Sequence, residues 1–167
     1  DNRFFSHGAI DLKGTARALA TNIAGSARQG GSTLTQQYVK QIRIEAAVAA
    51  GNEEGVQAAQ EPTITRKIQE LRYAVAMEKK LSKKQILERY LNIAYFGDGA
   101  YGVESAAHHY FGTTAANLDL AQSAMLAGLV QNPVAYDPVN HPEAAMNRRN
   151  IVLARMAQLN LISADQA

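Results

Sequence analysis

TITRKIQELRYAVAMEKKLSKKQILERYLN, residues 63–92, is the stretch on which the fold class turns. Ile64, Ile68, Leu71 and Val75 recur at the spacing of one apolar helix face. Thr63 or Thr65 supplies the amino-terminal cap of that helix, and its apolar stripe is expected to face the core. Ser82 and Gln85 then form a capping box, with Ile86, Tyr90 and Leu91 on the buried face of the next helix.

The helical pattern extends in both directions. Leu12, Ala16, Leu19 and Ile23 mark a helix that ends by Gly25, and a second starts near Ser32 or Thr33 and carries Leu34, Tyr38, Val39 and Ile42. Residues 43–61 (RIEAAVAAGNEEGVQAAQE) have weak periodicity and read as a long mobile loop with room for a partial helix. Downstream, Gly97, Gly99 and Gly102 punctuate a tight loop before a short helix ending near Gly112. Asp119 with Gln122 starts another that must stop by Pro133. Pro142 suits the first turn of a helix running to about Leu159, and Ser163 with Gln166 opens one more. Strand signals are almost absent, so the fold is expected to be all-α.

Composition narrows the function classes. The chain has 167 residues, 47% of them hydrophobic and 19% charged, which suits one globular domain with a substantial core. A formal net charge of +2 is too small to argue for nucleic acid, so anion binding must come from local clusters of Lys and Arg. The absence of cysteine excludes disulfides and thiolate metal sites. No apolar run reaches the roughly 18 residues of a membrane span. The chain begins inside what reads as a motif, so residues 1–167 are treated as an excised domain.

Three segments carry candidate chemistry. DNRFFSHGAID (1–11) interleaves Asp1, Arg3, His7 and Asp11 with Phe4 and Phe5, so polar groups could line a cleft while the rings anchor the segment. GGSTLTQQYVK (30–40) brings flexible glycines to a helix start, where Ser32, Thr33 and free backbone N–H groups favour phosphate. Gln36, Gln37 and Lys40 add amide donors and a cation, although ordinary capping with a polar face reads equally well from these residues alone. In TRKIQE (65–70), Arg66 and Lys67 lie one turn before Glu70. Exposed, this would be a surface ion pair worth a few tenths of a kcal/mol, but partly covered it becomes a functional candidate.

Taken in order, these three segments with KKQILERYLN (83–92) and NRRNIVLARM (147–156) resemble the five signature motifs of the peptidoglycan glycosyltransferase domain, glycosyltransferase family 51. That domain occurs in class A penicillin-binding proteins and in monofunctional glycosyltransferases. The linking YFGDGAYGVESAAHHYFG (95–112) fits the same pattern. The resemblance implies a lysozyme-like helical fold with a small membrane-facing jaw subdomain. It implies an inverting reaction that polymerises lipid II and a lipid-linked glycan chain into β-1,4-linked strands and releases undecaprenyl diphosphate. The place of work would be the extracytoplasmic face of the bacterial cell membrane.

By the same resemblance, Glu70 is catalytic and acts at the diphosphate. Gln36, Gln37 and Lys40 line the site with Ser32 and Thr33, and Arg66 and Lys67 are the cations available to the leaving group. A divalent cation, Mg or Mn, at the diphosphate is left open, with no metal ligand assigned, as is a transpeptidase domain in the same polypeptide. The family's first motif begins Glu-Asp, which places its general base just before Asp1. Some positions depart from the pattern. Residues 7–11 read HGAID where His-x-Gly-x-Asp is usual, Gln41 replaces Asn, and Pro62 stands near a place where some relatives carry a phosphate-binding Arg. The competing readings are a lysozyme-like glycan-cleaving domain and a non-catalytic glycan- or lipid-binding module.

Overall fold

The computed structural model describes residues 3–11 and 31–167. The helix expected over Leu12–Ile23, with Gly25, and the readings of Asp1 and Gly30 lie outside the described residues. The chain divides into two compact units, Asp1–Tyr90 and Leu91–Ala167. The described residues form seven α-helices, with a single isolated bridge, Tyr95 to Tyr101, in place of any strand. The fold is all-α, as a lysozyme-like glycosyltransferase domain requires.

In the first unit, the Thr33 hydroxyl accepts from the backbone N–H of Gln36 and caps α1 (Leu34–Ala49). Asn52 caps α2 (Glu53–Gln60) in the same way, and Glu53 and Glu54 sit in its first turn, where the helix dipole favours acids. The expected loop over 43–61 is therefore helical for most of its length. Its alanines favour helix strongly, and Asn52 supplies the second start. The period was weak because α2 buries little more than Ala59. α1 packs against both α2 and α3 (Ile64–Glu78), which Thr63 caps.

α3 is turned differently from the expected orientation. Its buried residues are Glu70 and Ala74, while Ile64 is 80% and Ile68 54% exposed and Val75 is also exposed. Ala74 packs with Val39 of α1 and Ala9, and Met77 closes over them. Its small side chain lets α1 approach closely, and that contact fixes which face turns inward. The larger apolar stripe is left on the surface. α4 (Lys83–Ile93) begins with the expected Ser82–Gln85 exchange and buries Ile86 and Tyr90.

The second unit starts with a turn whose geometry demands glycine. Gly102 has φ +83°, and a Cβ there would lie 2.5 Å from the Asn92 carbonyl oxygen. Gly102→Ala should therefore strain backbone against backbone and destabilise by about 2 kcal/mol or more. A melting curve should show a drop of roughly 4 °C or more. A variant that melts with the parent would mean that the 97–102 turn relaxes freely.

α5 (Val103–Phe111) ends at Gly112, which takes the left-handed conformation of a helix stop. Asp119 and Gln122 make both bonds of a capping box at α6 (Leu120–Leu129). Pro142 opens α7 (Pro142–Gln158), and α6 and α7 pack together. The contact works through a glycine, since a Cβ on Gly128 would meet Arg148 Cγ at 3.0 Å. Tyr110 donates to the Phe96 carbonyl at 3.1 Å. Burial, then the negative charges of Asp137 and Asp98, push its phenol well above the ordinary range and keep it a donor. The final expected helix does not form. Ser163 and Gln166 exchange capping bonds, but they close only a turn.

Candidate active site

The first unit brings the three chemistry-bearing segments together. The residues before α1 meet the 3–11 segment through one carbonyl. Thr33 Oγ1 donates to Ala9 O at 3.2 Å, and Gln36 Nε2 donates to the same oxygen at 2.8 Å. Both side chains are buried, so part of their donor capacity anchors the first segment to the second. Gln37 is exposed and Lys40 half-buried, and neither side chain has a hydrogen bond or ion pair among the described residues. They remain available to a ligand.

Glu70 is the centre of the cluster. It is 2% exposed, yet it lies one turn after two cations. Arg66 Nη1 donates to Glu70 Oε1, and its Nε donates to the Glu61 carbonyl. Lys67 Nζ lies 3.5 Å from Glu70 Oε2 and donates to Ser32 Oγ at 2.6 Å. Lys67 therefore ties the carboxylate of α3 to the Gly-rich segment ahead of α1. The helix supplies this geometry directly, because residues three and four apart share a face. With Arg66 15% and Lys67 43% exposed, the pair presents excess positive charge at the edge of a buried carboxylate. A phosphate approaching that edge would meet both cations at the amino-terminal end of α1.

The 3–11 segment is built on its own ion pair. Arg3 Nη2 reaches both oxygens of Asp11 at 2.7 and 2.8 Å. His7 Nδ1 donates to the Gly8 carbonyl at 2.6 Å, and its Nε2 faces Asp11 at 3.9 Å. Phe4 is buried with the Lys83 ammonium 4.4 Å from its ring centroid, whereas Phe5 is exposed and anchors nothing inward.

Sequence reading missed a second, partly buried carboxylate in the first unit. Glu78 accepts from Thr35 Oγ1 at 2.5 Å and from Lys83 Nζ at 2.7 Å, which locks α1, α3 and the start of α4 together behind the site. Thr35 is fully buried inside the GGSTLTQQ segment, and its position there was the only available signal. Glu88 and Arg89 are exposed, and α7 carries residues 147–156 with Leu153 buried and Arg148 reaching the Gly128 carbonyl at 3.4 Å. His108 pairs with Glu104 and His109 with Asp98, both at the surface.

No group of three or more His, Cys, Asp or Glu side chains able to hold a metal ion occurs among the described residues. The Glu70 oxygens already face two cations. A magnesium ion can bind through one carboxylate with the rest of its shell from phosphate and water, so the substrate would have to bring most of its ligands.

The family model described as Transglycosylase matches residues 1–157. Penicillin-binding protein 1A of Streptococcus pneumoniae is 41% identical over 166 residues, covering 99% of this chain and 22% of that protein. Penicillin-binding protein 1A of Aquifex aeolicus is 41% identical over 167 residues, covering 99% of this chain and 21% of that protein. Its counterpart in Neisseria gonorrhoeae is 40% identical over 167 residues, covering 99% and 19%. The chain spans about a fifth of the length of these relatives.

Proposed function

The chain belongs to the transglycosylase family, and from that premise we propose that it is a peptidoglycan glycosyltransferase that polymerises lipid II into β-1,4-linked glycan strands. The observation that carries the reading is Glu70, a carboxylate buried between Arg66 and Lys67 and linked through Lys67 to Ser32. A surface ion pair needs no such burial. A site that must hold cations against a departing diphosphate does.

The inverting reaction requires a sugar hydroxyl to attack from the face opposite the leaving diphosphate. A general base takes the hydroxyl proton, the role that the resemblance gives to the acidic residue opening the first motif. Such a base contributes roughly 10²–10⁴-fold. The remainder rests on orientation and on positive charge where the leaving group becomes more negative. Arg66 and Lys67 supply that charge, Glu70 fixes their direction, and Lys40 adds a further cation. Glu70 is thus a residue of the diphosphate side. Should a divalent cation bind with the substrate, Glu70 is the carboxylate placed to share it, and it would add Lewis-acid stabilisation of the diphosphate.

The substrate's polyprenyl tail confines the work to a membrane surface, at the outer face of the cell membrane. No helix of the described residues is long and apolar enough to cross a membrane. The exposed row of Ile64, Ile68 and Val75 along α3 is the surface we assign to the bilayer, and it fits the jaw that the resemblance implies. The relatives' name, penicillin-binding, fits a transpeptidase domain in the same polypeptide.

Incubation of the native polypeptide with lipid II tests the reading. Strands should lengthen; shortening of preformed strands would reveal a hydrolase, and neither outcome would leave a binding module. In the same preparation, Lys40→Ala should weaken binding of a diphosphate-lipid analogue more than of a phosphate-free glycan. Equal losses would mark Lys40 as structural.

A further inference from the structure

The first unit holds a groove of about 480 Å³ lined by none of the residues assigned to the reaction. Val39 and Ile42 of α1 form one wall, and Met77 of α3 with Leu81 forms the other. Arg43, Lys80 and Arg89 also line it, and no carboxylate among the described residues does. Arg43 Nη2 donates to Gln69 at 3.1 Å, and the guanidinium lies 5.9 Å from the Tyr73 ring centroid. Its Nη1 is buried with no acceptor among the described residues. A buried donor without an acceptor is costly and uncommon.

A purely apolar ligand would leave three cations without counter-charge, and a small soluble anion would leave the apolar walls wet. An anion joined to a hydrocarbon chain satisfies both. The groove also shares a lining residue, Ala76, with a second groove that includes Val75 of the surface assigned to the bilayer. Ile10 and Leu71 also line that second groove. We propose that this groove binds an anionic phospholipid of the membrane. The phosphate meets Arg43 and Lys80, and one acyl chain lies along Val39, Ile42, Met77 and Leu81. The choice of a bilayer lipid rests on the membrane-surface reading above, while binding itself needs neither membrane nor catalysis.

Titration with dihexanoyl-phosphatidylglycerol and dihexanoyl-phosphatidylcholine, both below their micellar concentrations, tests the site by NMR or calorimetry. The anionic lipid should bind at least tenfold more tightly than the zwitterionic one. Arg43→Gln and Lys80→Gln should each weaken the anionic lipid at least fivefold and leave the other unchanged. Both variants should polymerise a lipid II analogue in detergent within twofold of the parent. An enzyme that failed to polymerise would leave the titration intact, so the two readings fail separately. Equal binding of the two lipids, or anionic binding indifferent to both substitutions, overturns the proposal. So does a short polyprenyl diphosphate that outcompetes the phospholipid and loses the same affinity in Arg43→Gln, since the groove would then belong to the substrate.

Discussion

Glu70→Gln is expected to cut lipid II polymerisation at least tenfold while the protein still folds. Gln keeps the shape of Glu and can still accept from Arg66, so the helix and its packing survive. The negative charge is lost, and with it the restraint that points Arg66 and Lys67 at one edge. That restraint matters most when the diphosphate leaves, so the loss should fall on kcat more than on KM. Stability should also change. Breaking a fully buried pair costs about 3–5 kcal/mol, but Arg66 is 15% and Lys67 43% exposed and both regain water. A cost of about 1–3 kcal/mol is expected, or roughly 2–10 °C in melting temperature. Rates are therefore compared well below the variant's transition. Activity within twofold of the parent would refute the assignment of Glu70 to the diphosphate side.

Helix boundaries were legible wherever a local signal marks them. Thr63, the Asp119–Gln122 box and Pro142 start helices where expected, and Gly112 stops one. These are contacts within one turn, which spacing encodes directly. The 43–61 stretch was misread because an alanine-rich helix that buries one small residue shows almost no apolar period. The face of α3 was misread for the opposite reason. Its strongest apolar stripe is real, but the interior is set by Ala74 against Val39 and by the burial of Glu70. In the site, Arg66, Lys67 and Glu70 could be placed together because helical spacing joins them. The bond from Lys67 to Ser32 and the Thr35–Glu78–Lys83 knot connect residues distant in the chain, and no periodicity records them. The donors of Thr33 and Gln36 were assigned to a ligand when each also serves the Ala9 carbonyl. An amide looks the same in sequence whether it faces substrate or backbone.

The exposed stripe of α3 leads to the second large effect. The double variant Ile64→Glu, Ile68→Glu should lose at least tenfold of its partitioning onto liposomes that mimic the bacterial membrane. Full burial of one Ile side chain is worth about 1.5–3 kcal/mol, and each factor of ten in partitioning needs only about 1.4 kcal/mol. Even partial insertion of two such side chains therefore suffices, before the repulsion of two carboxylates from anionic lipid is added. The residues are 80% and 54% exposed, so the fold loses little and the melting temperature should stay within about 2 °C. Polymerisation of a short-chain lipid II analogue in solution should also persist, because neither residue takes part in the hydrogen bonds or ion pairs of Glu70, Arg66 and Lys67. Leu161→Glu, at an exposed apolar position in the second unit, serves as the comparison. If it releases the protein as fully as the α3 variant, any exposed apolar residue suffices and α3 has no special part in docking. If the α3 variant stays bound while remaining folded, the bilayer rests on another surface, and the apolar face turned outward by the Val39–Ala74 contact has a different purpose.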